Sequence, residues 1–238
     1  MLNNDSGLPA DRPPSRSVAE IWHMLDLLRR QRIAVVTEVR DGEWKFQSLL
    51  RLLDREGRRM LVDRSTDQAI NAALLSRARC SFHAEVAGWY VEFVAARPRE
   101  TVLDGLAVIE FDFPELLVRV QRRAHLRSPV PEGAGYKCLA DAGGIMPFDA
   151  MLVDAGPDGL GFLIYDPAIT LEPGTRLNGC RITTRRGTVE AVDLEVRYTQ
   201  PIVLADGQRA RRAGCRIASP SPGFADFVSH SFGSDAGR

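Results

Sequence analysis

With 238 residues, 45% of them hydrophobic, the chain can bury a sizeable core and fits two small domains at least as well as one. Its 31 lysines and arginines balance its 31 aspartates and glutamates, which argues against a dispersed nucleic-acid or membrane-surface binder and makes any anion site a local one. No apolar run is long enough to span a bilayer, and residues 1–16 lack the apolar core of a signal peptide, so a cytoplasmic protein without membrane insertion is expected.

Residues 1–16, with Pro9, Pro13 and Pro14 and no periodicity, read as a disordered arm. Ser17-Val18-Ala19-Glu20 has capping-box form, and Ile21, Met24, Leu25 and Leu28 then fall on one helical stripe. From Arg32 to Phe113 the apolar period drops to two. Strands are expected over 33–39, 44–50, 60–62 and 89–94, with Asp41-Gly42 as a hairpin turn between the first two. A short helix over 66–75 follows a Ser65/Thr66 cap. These elements make a small antiparallel barrel or sandwich with helices outside.

The segment Phe113–Val120 lacks the Gly/Ser content of a flexible tether and leads directly into Gln121-Arg122-Arg123-Ala124-His125-Leu126-Arg127. Arginine keeps its charge and presents a planar fork of donors that suits phosphate oxygens and the O6/N7 edge of guanine alike. The prolines of Ser128-Pro129-Val130-Pro131 favour extended backbone, so the cluster reads as loop entering strand. Further strands are expected over 148–154, 161–165, 189–198 and 212–218. The clearest alternation places Val192, Leu194, Val196 and Tyr198 on one face. Phe224, Phe227 and Val228 mark a short terminal helix before a frayed tail.

A second constellation is Asp154-Ala155-Gly156-Pro157-Asp158-Gly159-Leu160-Gly161-Phe162, in which a strand end runs into a Gly-rich turn. A carboxylate such as Asp154 can accept from the N1–H/N2–H edge of guanine, and glycines let a planar ligand approach the main chain. An arginine cluster with an Asp-Gly turn is therefore a purine-phosphate site in outline. As alternatives, the arginines could be a solvated cluster at a domain junction, and Asp154 an Asx turn capping its own loop.

These two motifs resemble the PilZ family of cyclic di-GMP receptor domains, whose pattern is R-x-x-x-R followed by [DN]-x-S-x-x-G. Here the matching positions are Arg123 and Arg127, then Asp154, Gly156 and Gly159. Arg122, Gln121, Leu160-Gly161-Phe162 and Gly214-Cys215-Arg216-Ile217 look like that family too. The N-terminal half is similar in architecture to the partner domain of YcgR-type flagellar brake proteins. The resemblance covers about residues 17 to 230. It implies a mainly β chain with two small antiparallel β-barrel domains, the N-terminal one split-barrel-like and the C-terminal one a PilZ barrel, and a few short helices. The expected division is an arm over 1–16, a YcgR-like N-terminal domain over 17–118, a PilZ domain over 119–231 with its Arg-rich junction at 119–127, and a tail over 232–238.

By the family's pattern Arg122, Arg123 and Arg127 grip phosphates and guanine edges of cyclic di-GMP, and Asp154, Gly156 and Gly159 line the opposite side. No catalytic residue, metal or cofactor is expected. The implied partners are cyclic di-GMP and flagellar motor proteins of the stator or switch complex, with recruitment to the flagellum basal body; monomer and dimer are both open. The pattern's serine is Gly156 here and one of its usual glycines is Asp158. Loss of the hydroxyl removes a hydrogen bond worth about 0.5–1.5 kcal/mol, and Asp158 sets a negative charge near a dianion, screened if it points outward. An alternative is a degenerate PilZ adaptor that binds protein partners without nucleotide. An enzyme with a flavin-holding split barrel is disfavoured, because no flavin phosphate site or catalytic dyad is identifiable. His125 has no second base or nucleophile indicated near it and reads as a spacer. Cys80, Cys138, Cys180 and Cys215 lack ligand or redox spacing and read as buried free thiols. Removing Arg123 or Arg127 is expected to leave ligand-free stability nearly unchanged.

Overall fold

A computed structural model describes residues 14–39, 44–86, 88–121, 127–130, 136–141, 147–183, 189–220, 223–224 and 226–228. The chain is mostly β and divides into two compact units, Met1–Ala124 with Val203–Gln208, and His125–Ile202 with Arg209–Arg238.

The first unit opens on helix α1 (Val18–Arg30), followed by β1 (Val35–Val39), β2 (Trp44–Ser48), β3 (Leu50–Asp54), β4 (Arg59–Asp63), helix α2 (Gln68–Leu75), β5 (Arg79–Val86), β6 (Trp89–Ala96), β7 (Arg99–Leu103), β8 (Leu106–Asp112) and β9 (Leu117–Val120). Ile21, Met24, Leu25 and Leu28 of α1 are all buried, as their 3.6-residue spacing requires. The capping box forms by half. The Ser17 hydroxyl accepts from the Glu20 N–H, but the Glu20 carboxylate takes its hydrogen bond from the Ser15 hydroxyl instead of the Ser17 N–H. Ser15 also exchanges two backbone hydrogen bonds with Leu117, so ordered chain begins within the stretch expected to be a disordered arm. Helix α2 is capped by Asp67, whose side chain accepts from the Ala69 N–H, and not by Ser65 or Thr66. Ser65 is held by Asn71 through both its N–H and its carbonyl.

Two antiparallel sheets carry this unit, β2-β1-β5-β6-β9 and β3-β4-β8-β7. Their inward faces meet in a core around Phe82, which stacks on Phe93 and meets Phe111 edge-on. The run expected as one strand over 44–50 is broken at Leu49, and its halves enter different sheets. The predicted turn at Asp41-Gly42 lies outside the described residues, although β1 and β2 do pair antiparallel with Val39 opposite Trp44.

The second unit is a closed six-strand barrel. It comprises β10 (Ser128–Pro129), β11 (Lys137–Asp141), β12 (Pro147–Gly156), β13 (Gly159–Ile164), β14 (Arg176–Thr183), β15 (Val189–Val203) and β16 (Arg209–Pro220). The closure order is β11-β12-β13-β16-β15-β14 and back to β11, with β10 added alongside β12. Leu152, Leu160, Phe162, Val192, Leu194 and Val196 point into the barrel and are at most 2% exposed. Phe224, Phe227 and Val228, on the short terminal helix, join this core. Tyr198 does not follow its alternating partners inward. Arg197 and Tyr198 are both exposed, so the pattern breaks there.

Candidate functional site

The outward face of β12, β13 and β16 carries the site. Pairing of β10 with β12 sets Pro129 opposite Asp154 and Ser128 opposite Ala155, which brings Arg127 alongside the end of β12. A register shift between Leu152 and Asp154 then turns the Asp154 side chain outward while Ala155 stays in the core. The β12–β13 hairpin closes tightly, with Gly156 opposite Gly159 and Pro157-Asp158 as its turn.

Arg127 and Asp154, separated by 27 residues, meet here. The Arg127 Nη1 donates to Asp154 Oδ1 at 3.2 Å, and its Nη2 donates to the Cys215 carbonyl of β16 at 3.4 Å. Arg212, also on β16, donates through Nη2 to Asp154 Oδ2. One carboxylate thus holds two guanidiniums in a partly buried network, with side chains 12% exposed for Arg127 and Asp154 and 21% for Arg212. Charge-assisted bonds of this kind are strongest where water is thin.

Two glycines make the network possible. A Cβ at Gly159 would collide with the Arg127 guanidinium and with the Cys215 carbonyl. A Cβ at Gly161 would lie 2.5 Å from Asp154 Oδ2 and 2.8 Å from Cγ. Any larger residue on these outward positions of β13 would occupy the seats of the charged groups.

Asp158 faces Arg127, with Oδ1 3.9 Å from Nε. It does not turn wholly into solvent, and it neutralises part of the positive charge that the arginine motif supplies. Glu195 on β15 is held below the usual carboxylate range, first by its hydrogen bond from Arg216 and then by that from Arg197. Burial pushes the Cys215 thiol up to about 12, so it stays protonated beside the network. All four cysteines are free and buried.

Of the residues singled out in the sequence, Arg127, Asp154 and Gly159 come together and Gly156 closes the same hairpin; Arg122, Arg123 and His125 lie outside the described residues. Arg212 was missed. Its signal was its place two residues before Gly214 on an alternating strand, opposite Leu163. Among the described residues no group of histidine, cysteine and carboxylate side chains could hold a metal, and no helix is long and apolar enough to cross a membrane.

The model of the PilZN domain of the flagellar regulator YcgR matches residues 15–119. Flagellar brake protein YcgR 1 of Paraburkholderia phytofirmans is 33% identical over 183 residues, spanning 76% of this chain and 71% of that protein. Among solved structures, the K. pneumonia MrkH–c-di-GMP complex shares the fold with a TM-score of 0.69 at 15% identity, covering 92% of this chain and 93% of that one. YcgR in complex with c-di-GMP from Escherichia coli does so with a TM-score of 0.56 at 19% identity, covering 91% and 89%. The likeness at the level of sequence runs through both units, and the chain belongs to the family of YcgR flagellar brake proteins.

Proposed function

We propose that this chain is a cyclic di-GMP receptor that restrains motility by acting on the flagellar motor. The observation that carries the reading is the meeting of Arg127 and Asp154, from two separate motifs, at 3.2 Å over a glycine-floored hairpin. Arginine donors for phosphate and guanine O6/N7 and a carboxylate acceptor for the guanine N1–H/N2–H edge are the complementary halves of a guanine–phosphate site. Family membership and the c-di-GMP complexes of two structural neighbours point the same way.

In this reading the N-terminal domain runs over 17–118 and the PilZ domain over 119–231. Arg122 and Arg123 in the junction at 119–127 join Arg127 on the ligand, while Gly156 and Gly159 give the base access to the main chain. Binding changes the arrangement of the two domains by preferring the one in which the junction arginines reach the ligand. The changed arrangement presents a face to a stator or switch protein, and the protein acts as a regulator at the flagellum basal body and not as an enzyme.

A second reading, an adaptor without nucleotide, draws support from Asp158. Arg127 and Arg212 carry two positive charges and Asp154 and Asp158 two negative ones, so these four groups balance without a ligand. The test is a swimming assay in a flagellated bacterium lacking its own brake protein, with cyclic di-GMP raised. Wild-type protein should shrink the swim zone and Arg127→Ala should not. Equal shrinkage by both would favour the adaptor, and none by either would remove the brake reading.

A further inference from the structure

Tyr198 lies over Gly214 of β16, next in the chain to Cys215, whose carbonyl accepts from Arg127. In the β13–β16 ladder Gly161 and Gly214 are direct partners, so their Cα atoms are about 4.5–5.5 Å apart. The Asp154 carboxylate covers Gly161. The Tyr198 ring covers Gly214 in the same way, for a Cβ built there would lie 2.6 Å from Cζ and 2.8 Å from Cδ1. Carboxylate and phenol ring thus lie side by side on one outward surface, about one strand spacing apart, with no side chain from either glycine between them.

The ring is there at the expense of the core. Val192, Leu194 and Val196 alternate inward, and one more step would bury a tyrosine, yet Tyr198 is 37% exposed. A large aromatic held over a glycine, with part of its surface left to water beside a buried carboxylate, is a platform for a planar group. A purine whose hydrogen-bonding edge meets Asp154 extends over the neighbouring strand, where the ring lies. We propose that Tyr198 stacks on the purine that Asp154 reads, and so is a ligand-affinity residue of the nucleotide site. This rests on the cyclic di-GMP reading above. Because every base has a π-face, the stack adds affinity without choosing the base, and Asp154 supplies the choice.

The experiment is titration of cyclic di-GMP into wild type, Tyr198→Phe and Tyr198→Leu, with the guanine H8 resonance followed by NMR. Leucine fills the space over Gly214 without a π-face, so it separates stacking from packing, and Arg127→Ala reports independently on the phosphate side. Tyr198→Phe should bind like wild type with an upfield-shifted H8. Tyr198→Leu should bind about 5- to 100-fold more weakly, the loss expected for one base–aromatic stack, without that shift. Equal affinity of the leucine variant and wild type would overturn the stacking role and leave the receptor reading intact. Failure of wild type itself to bind would overturn both.

Discussion

Replacing Asp154 by alanine strips the acceptor from two guanidiniums at once, and this is the perturbation whose cost the structure defines best. Removing one partner of a fully buried ion pair costs about 3–5 kcal/mol, because the remaining charge is left desolvated. Here Arg127 keeps the Cys215 carbonyl and has Asp158 3.9 Å away, and the Arg127 and Arg212 side chains are 12% and 21% exposed, so water can reach them in part. About 2–3 kcal/mol is the discounted figure. Arg127→Ala leaves Asp154 its bond to Arg212 and removes hydrogen bonds of 3.2 and 3.4 Å and the 3.9 Å ion pair with Asp158, so about 1–2 kcal/mol follows. The sequence alone leads one to expect a nearly unchanged ligand-free stability for Arg127→Ala, and the network raises that figure to this modest loss. Trp22, Trp44 and Trp89 all belong to the first unit, which makes urea denaturation informative: tryptophan fluorescence follows that unit, while far-UV circular dichroism also follows the barrel. The barrel transition should move to lower urea with the tryptophan transition unmoved. The double variant should lose less than the sum of the single losses, since the two residues share one interaction. A loss below about 0.5 kcal/mol for Asp154→Ala, the size of an ordinary surface change, would refute the buried-network argument.

Asp158→Gly removes the carboxylate that faces Arg127 and should raise cyclic di-GMP affinity about 1.5- to 5-fold, the range of one partly screened charge pair; an unchanged or weaker affinity in calorimetry would show that Asp158 does not compete. Gly156→Ser restores the family's hydroxyl and should tighten binding about 2- to 12-fold, the equivalent of one hydrogen bond. Burial raises Cys80 to about 11 and Cys215 to about 12, and a hydrogen bond shared with Cys180, together with burial, pushes Cys138 up as well. Thiols that ionise near pH 8.5 when unfolded but higher when folded favour the native state fully below that pH, and the advantage fades as pH rises above it. Native protein should therefore resist a thiol-specific reagent at pH 8, all four cysteines should react in denaturant, and urea midpoints should fall from pH 8.5 towards 10. Asn71→Ala leaves the Ser65 N–H and carbonyl unpaired in a buried corner and should cost about 2 kcal/mol, read in the tryptophan transition.

Sequence periodicity located α1 and most of β1, β6, β12 and β15 because each puts apolar residues on one side of a regular element, and the apolar run Met60-Leu61-Val62, buried on both faces, located β4. It passed over β5 despite the clean alternation of Cys80, Phe82, Ala84 and Val86, and elsewhere it failed where tertiary context decides. Leu49 divides two strands of different sheets within one apolar run, and β14 carries its core residues in too irregular a pattern to stand out, with Gly179 at positive φ within it. The carboxylate end of the site was legible because Asp154 and the glycines lie in one short motif. The Arg127 motif named the other partner, but only the β10–β12 pairing and the bulge before Asp154 show how they meet. Arg212 and Tyr198 reach the site from β16 and β15, 58 and 44 residues beyond Asp154, by a barrel closure that no local pattern encodes.

Whether Arg127 and Asp154 form one nucleotide site is decided by calorimetric titration of cyclic di-GMP into the whole protein, with Arg127→Ala as the control and GTP as the competitor. Wild type should give saturable heat that the variant loses and that GTP does not displace. No heat and no thermal shift from wild type at high ligand concentration, or equal binding by wild type and Arg127→Ala, would contradict it.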